Sequence, residues 1–289
     1  DAPGYPLTAG THDLRSAVVE WFARRRGVAA LSTDAVLPTV GSKELVAWLP
    51  TLLGLRAGDL VGIPAVAYPT YDVGARIAGA TAVVAQSLTS LGPLTASTTP
   101  KLLWVNSPGN PDGRVLGVEH LAKVVAWARQ HGVLVASDEC YAELDWRPGE
   151  RGGATPSILH PAVCGGSHEG LLAVYSLSKQ SNLAGYRAAF AAGDPRLVDR
   201  LLQVRKHAGM IVPAPVQAAM AAAKRNVLGM SLCPLLSSGR NPARQAGIGT
   251  LPMIASINYT IFKSMVFWRV WTCSGRGHNP FRCSWEVPE

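Results

Sequence analysis

Between Thr11 and Ala223 the chain alternates short, nearly uninterrupted apolar runs with stretches of helical period, and this alternation restricts its fold more than any other feature. The runs are Leu60–Pro64, Thr81–Ala85, Leu102–Asn106, Val133–Ser137, Leu171–Leu177 and Ala188–Ala192. Apolar at successive positions, they predict strands buried on both faces. The helical stretches repeat every three to four residues. Asp13–Arg26 aligns Leu14, Val18, Trp21 and Phe22, and Ser42–Leu55 aligns Leu45, Trp48, Leu49 and Leu52. Asp72–Gly79, Val118–His131 and Pro195–His207 complete the set. The expectation is an α/β fold with a mainly parallel sheet and helices on both faces.

Composition narrows the function classes. With 48% hydrophobic and only 16% charged residues in 289, the chain can bury a substantial core and is neither disordered nor fibrous. The formal charge of +8 invites a nucleic-acid reading, but residues 224–289 alone carry eight Lys/Arg against two acids. The basicity is therefore concentrated in that tail and does not mark a binding face of the preceding segment, so no nucleic-acid partner is expected. Five cysteines without close pairs argue for a reducing, cytoplasmic compartment. Cys273 and Cys283 flank His278 at a spacing that fits no zinc template, so no metal is expected. No secretory signal is recognisable, and Leu251–Trp268, interrupted by Asn258 and Lys263, is not read as a membrane span.

In open parallel sheets ligands bind beyond the carboxyl ends of the strands. Three such ends carry chemistry here. Leu102–Asn106 runs into SPGNPDG and offers Asn110. Val133–Ser137 runs into DECY and offers Asp138 and Tyr141. Leu171–Leu177 leads into YSLSKQSNLAGYR, with Ser176 and Ser178 before Lys179 and Arg187 eight positions beyond the lysine. Such a lysine can form an imine with an aldehyde while the hydroxyls and the guanidinium hold a phosphate. Each motif also has a plain reading: a Pro/Gly turn, an aspartate capping the next turn, a tyrosine at the core edge, a solvated lysine.

Taken in order, SPGNPDG, SDECYAEL and SLSKQSNLAGYR resemble the motifs of fold-type I pyridoxal-phosphate (PLP) enzymes of the class I/II aminotransferases, over roughly Tyr5 to Ala223. PAVAYPTYDVGARIAGA and LLWVNSPGNPDGRVL are most similar to the bacterial N-succinyldiaminopimelate aminotransferases. The resemblance implies a seven-stranded-type sheet and a transaminase moving an amino group between glutamate and a keto acid, N-succinyl-2-amino-6-oxopimelate. Another PLP enzyme of this fold, or a non-catalytic PLP-binding fragment, is the alternative.

The resemblance also implies roles. Lys179 binds the cofactor aldehyde and serves as the general base. Asp138 pairs with the pyridine nitrogen, and Asn110 and Tyr141 hydrogen-bond the ring's phenolic oxygen. Arg187, Ser176, Ser178 and the Gly41-Ser42-Lys43 helix start hold the phosphate, since free N–H groups at a helix start attract anions. Tyr68 stacks on the ring. Tyr5, in YPLTAGTHDLR, reaches the phosphate of a second subunit, which makes the enzyme a homodimer.

The expected organisation is a PLP-binding large domain, 1–223, followed by an atypical tail, 224–289. Neither the family's N-terminal arm nor its small C-terminal domain, which supplies an arginine for the substrate carboxylate, is recognisable. The chain is therefore expected to bind PLP better than it turns substrate over.

Overall fold

The computed structural model describes residues 4–144 and 155–225. The tail readings on Cys273, His278, Cys283 and Leu251–Trp268 lie outside the described residues. Among those described, no helix is long and apolar enough to cross a membrane.

Seven strands form one sheet: β1 Val36–Val40, β2 Leu60–Ile63, β3 Thr81–Val84, β4 Leu102–Asn106, β5 Leu134–Asp138, β6 Leu171–Ser176 and β7 Ala188–Gly193. Their order across the sheet is β1-β7-β6-β5-β4-β2-β3. All neighbours run parallel except at β7, which is antiparallel to both β6 and β1. Helices α1 His12–Arg26, α2 Ser42–Leu52, α3 Thr70–Ile77, α4 Val118–His131, α5 Pro161–Cys164, α6 Leu177–Gln180, α7 Pro195–Arg205 and α8 Ala214–Arg225 connect and cover the strands.

Residues alternate along each strand between two cores, as the pleat requires. Leu103, Val105, Ala173, Tyr175 and Phe190 face α1, α4 and α8. Leu102, Trp104, Leu172, Val174 and Ala191 face α2, α3 and α7. The expected fold class is the observed one. The sequence reading missed strand β1, helix α8 and the two four-residue helices α5 and α6, which are too short to show a period. Strand β1 is only five residues long and contains Pro38, whose ring normally argues against a strand; β1 lies at the sheet edge, where proline is tolerated. Helix α8 is rich in alanine and its apolar stripe is short.

Helix α8 carries two buried polar residues that fix it. Gln217 donates to the carbonyls of Leu7 and Val212 and accepts from the Thr11 N–H, tying the start of the chain to this helix. Lys224 is buried among Trp21, Tyr175 and Phe190, its Nζ 3.5 Å from the Trp21 ring centroid, and donates to Gln180 Oε1 at 2.8 Å.

Burial is the largest influence on the Lys224 amine and pushes its pKa well below the ordinary lysine range; the Glu143 carboxylate pulls the other way. An unfolded chain holds this proton more readily than the folded one, so the burial penalty is fully present below the folded pKa and vanishes above about pH 10. Lys224→Met is therefore expected to stabilise the fold by about 1–3 kcal/mol at neutral pH. The gain should shrink as the pH approaches 10, a trend that denaturant unfolding across the pH range would read.

Candidate active site

The strand registers bring the sequence-named residues to one edge of the sheet. Asn106 at the end of β4 is paired with Asp138 at the end of β5, and Asp138 with Val174 of β6. On the far side, Ser176 at the end of β6 pairs with Ala189, and Val40 at the end of β1 pairs with Ala188. Because β7 runs backwards, its first residues lie where its neighbours end. Arg187, immediately before β7, thus arrives beside Gly41, immediately after β1.

That meeting is close. Gly41 has a positive φ of 79° and caps α2, and a methyl carbon placed on it would fall 2.1 Å from Arg187 Nη2. Only glycine leaves room for the guanidinium against the helix start, where N–H groups lack intrahelical partners. Arg187 is itself in the left-handed region at φ 53°, and its Nη1 donates to the Ala184 carbonyl at 3.0 Å. Glu44 fixes the helix from below: its carboxylate accepts from the Val40 N–H and forms a two-pronged pair with buried Arg205, at 2.7 and 3.0 Å. Ser176 is buried and caps α6 by accepting from the Ser178 N–H. Its hydroxyl hydrogen can still donate. A guanidinium, a helix start and a serine O–H form a cradle suited to a phosphate dianion.

The acid is at the centre of the sheet edge. Asp138 ends β5 instead of following it, and only 7% of it is exposed. Burial is the largest influence and raises its pKa; donors at Cys140 and Tyr71 oppose that rise. Cys140 N–H donates to Oδ1 at 3.1 Å and the Tyr71 hydroxyl to Oδ2 at 2.9 Å. The plain reading of Asp138 as a turn cap is thus also realised, through one oxygen only.

Lys179 lies on the short helix α6 and is exposed, with Nζ 5.9 Å from the centroid of the Tyr141 ring. Tyr141 is half-buried, and burial raises the pKa of its phenol. Asn110 is half-buried, its N–H donating to Asn106 Oδ1 at 2.7 Å; Asn106 Nδ2 in turn donates to the Asp138 carbonyl at 3.0 Å. Asn106 therefore pins the Asn110 loop to the strand end that bears the acid. Tyr68 is half-buried, edge-on to Tyr71, with Lys43 Nζ 5.9 Å from its ring centroid. Tyr5 stands apart and is 97% exposed.

Sequence reasoning missed Tyr71, Asn106, Glu44 and Arg205, which support this edge. Their signal in the sequence was weak: Tyr71 reads as core, Asn106 as a strand terminus, and the Glu44–Arg205 pair spans 161 positions. The donor set fits PLP: an exposed amine, a buried acid for a ring nitrogen, phenol and amide groups for a ring oxygen, and a cradle for the phosphate.

Comparison with known proteins agrees with this geometry. The family model for aminotransferase class I and II matches residues 1–232, and the chain belongs to that family, whose cofactor is PLP. It is 63% identical over 223 residues to a probable aminotransferase of Mycobacterium tuberculosis, covering 77% of this chain and 51% of that protein. It is 57% identical over 225 residues to the 4-dedimethylamino-4-oxo-anhydrotetracycline transaminase OxyQ of Streptomyces rimosus, covering 77% of this chain and 59% of that one. The chain thus spans little more than half the length of these curated relatives. The crystal structure of N-succinyldiaminopimelate aminotransferase from M. tuberculosis superposes with a TM-score of 0.70 at 24% identity, over 82% of this chain and 62% of that one, which shows a shared fold.

The cradle is open to a direct test. Gly41→Ala would force both a strained backbone and displacement of Arg187, and Arg187→Lys would lose the two-pronged grip. Each is expected to weaken binding of inorganic phosphate, measured by calorimetry, by about tenfold, the loss of one charge-assisted hydrogen bond.

Proposed function

We propose that the described unit is the PLP-binding part of a transaminase that moves an amino group between glutamate and a keto acid, N-succinyl-2-amino-6-oxopimelate, in a cytoplasmic homodimer. The observation that carries this reading is the convergence of Lys179, Asp138, Tyr141 and the Gly41–Arg187 cradle on one sheet edge in a chain of this family.

When bound, PLP supplies an aldehyde to bind amines and an electron sink for charge developing on the substrate carbon. Lys179, on α6 at this edge, would hold that aldehyde, and its Nζ, once free, would be the base that takes the proton from the substrate Cα. Asp138 keeps a ring nitrogen protonated. Its buried carboxylate, prevented by two donors from becoming a neutral acid too readily, suits that task. Tyr141 and Asn110 donate to the ring oxygen, and Tyr68 packs against the ring face. Arg187, Ser176, Ser178 and the Gly41-Ser42-Lys43 helix start hold the phosphate and so fix the position of every reacting atom. Tyr5, exposed in the single chain, is free to reach the phosphate of a second copy. Cytoplasmic residence is supported by two free, buried thiols, Cys140 and Cys164.

The relation to OxyQ, whose name specifies a polycyclic ketone, favours a second reading in which the acceptor is a larger ketone. Mixing the purified chain with PLP is expected to give a visible absorbance band that requires Lys179 and declines on adding glutamate, with release of 2-oxoglutarate. Lys179→Ala should lower turnover by about 10²–10⁴-fold. A folded chain that gives no Lys179-dependent band would refute the cofactor assignment. If 2-oxoglutarate forms from glutamate but the succinylated keto acid does not complete the cycle, while a bulky ketone does, the second reading prevails.

A further inference from the structure

Tyr71 belongs to none of the groups assigned above to substrate or cofactor. It is fully buried on α3, with its ring stacked on Trp104 at 4.9 Å and 22° and its edge against Tyr68. A residue needed there only for apolar area would be served by phenylalanine, and a buried tyrosine hydroxyl requires a polar partner. Here the partner is Oδ2 of Asp138, at 2.9 Å. We infer that Tyr71 is a positioning residue for the acid: its hydroxyl, aimed by the stack on Trp104, sets the orientation and proton affinity of the Asp138 carboxylate and thereby how firmly that carboxylate holds the protonated ring nitrogen of PLP. The inference rests on the PLP reading above.

The direction of the effect follows from the chemistry. Burial and the neighbouring carboxylate raise the Tyr71 phenol far above its ordinary pKa, so the hydroxyl remains a donor throughout the working range. A donor to a carboxylate favours the charged form, and a charge-assisted bond is stronger than a neutral one. With Tyr71 on Oδ2 and the Cys140 N–H on Oδ1, the carboxyl plane is fixed by two groups from separate elements, α3 and the turn after β5. Loss of the hydroxyl leaves Cys140 as the remaining support, on one side of the carboxyl, gives the carboxyl more freedom to rotate, and lets burial push Asp138 toward its neutral form. A neutral acid no longer offers the negative charge that a protonated ring nitrogen needs.

The alternative is that the hydroxyl merely finds a convenient acceptor and the residue matters only for packing. A double-mutant cycle on the full chain separates the two. PLP affinity is measured by equilibrium titration for the unaltered chain, Tyr71→Phe, Asp138→Asn and the double variant. Melting of each cofactor-free protein is recorded alongside; the Tyr71→Phe ring can keep its stack on Trp104. The expected result is a loss of about tenfold for Tyr71→Phe when Asp138 is present and under about twofold when Asp138→Asn is already in place. Equal losses in the two backgrounds, no loss in either, or a Tyr71→Phe chain that no longer folds would each overturn the inference. Failure of the PLP reading has a different signature: the unaltered chain, folded, binds no PLP at all, and the inference falls with it.

Discussion

The reversal of the chain after β6 is the constraint on which the rest of the site depends. The connection from Leu177 to Arg187 contains only a four-residue helix and one tight turn, too little for the crossover that a parallel neighbour requires. Strand β7 must therefore return antiparallel. This places Arg187 at the same sheet edge as the ends of β1, β4, β5 and β6, whereas a parallel β7 would have placed it at the opposite edge. Both Lys179 and Arg187 come from this single connection. The chain thus obtains an amine and a guanidinium at one edge from eleven consecutive residues, held between two fully buried strands.

Around that connection the supports are polar and buried or half-buried. Glu44 and Arg205 hold the start of α2, Asn106 holds the Asn110 loop, and Tyr71 with Cys140 holds Asp138. Each belongs to a different element, and none needs to touch a ligand. Buried polar groups are costly unless paired, so these supports lock the exposed functional groups of the edge to a core that has little freedom to shift.

The fold was largely legible because its strands are apolar on both faces and its longer helices have clear stripes: six strands and five helices were anticipated within a few residues. Strand β1 was not, since Pro38 breaks the local signal while the edge position removes the penalty. Helix α8 was not, because alanine carries little pattern. The candidate site was legible where polar side chains end a strand or follow it closely, as at Asp138 and Ser176, Tyr141 and Lys179, which the structure brings to one sheet edge. It was not legible where the third dimension decides. No local feature says that Tyr71 reaches Asp138 across 67 positions, or that Gly41 is small because Arg187 lies against it. The two members of such a pair become visible together only when the sheet order is known.

Helix α8 has a topological consequence. Gln217 bonds the backbone at Leu7 and Thr11, Arg225 pairs with Asp13 at 3.0 Å, and Arg24 donates to the Lys224 carbonyl. Residues 7–24 therefore lie against residues 217–225, far away along the chain. Contacts of this kind hold two stretches of the layer together without relying on the loops between them, and the exposed stretch before β4 could accept insertions with every strand pairing retained. Helix α8 thus acts as a clasp that fastens the segment 7–24 to the layer from its far side in the sequence.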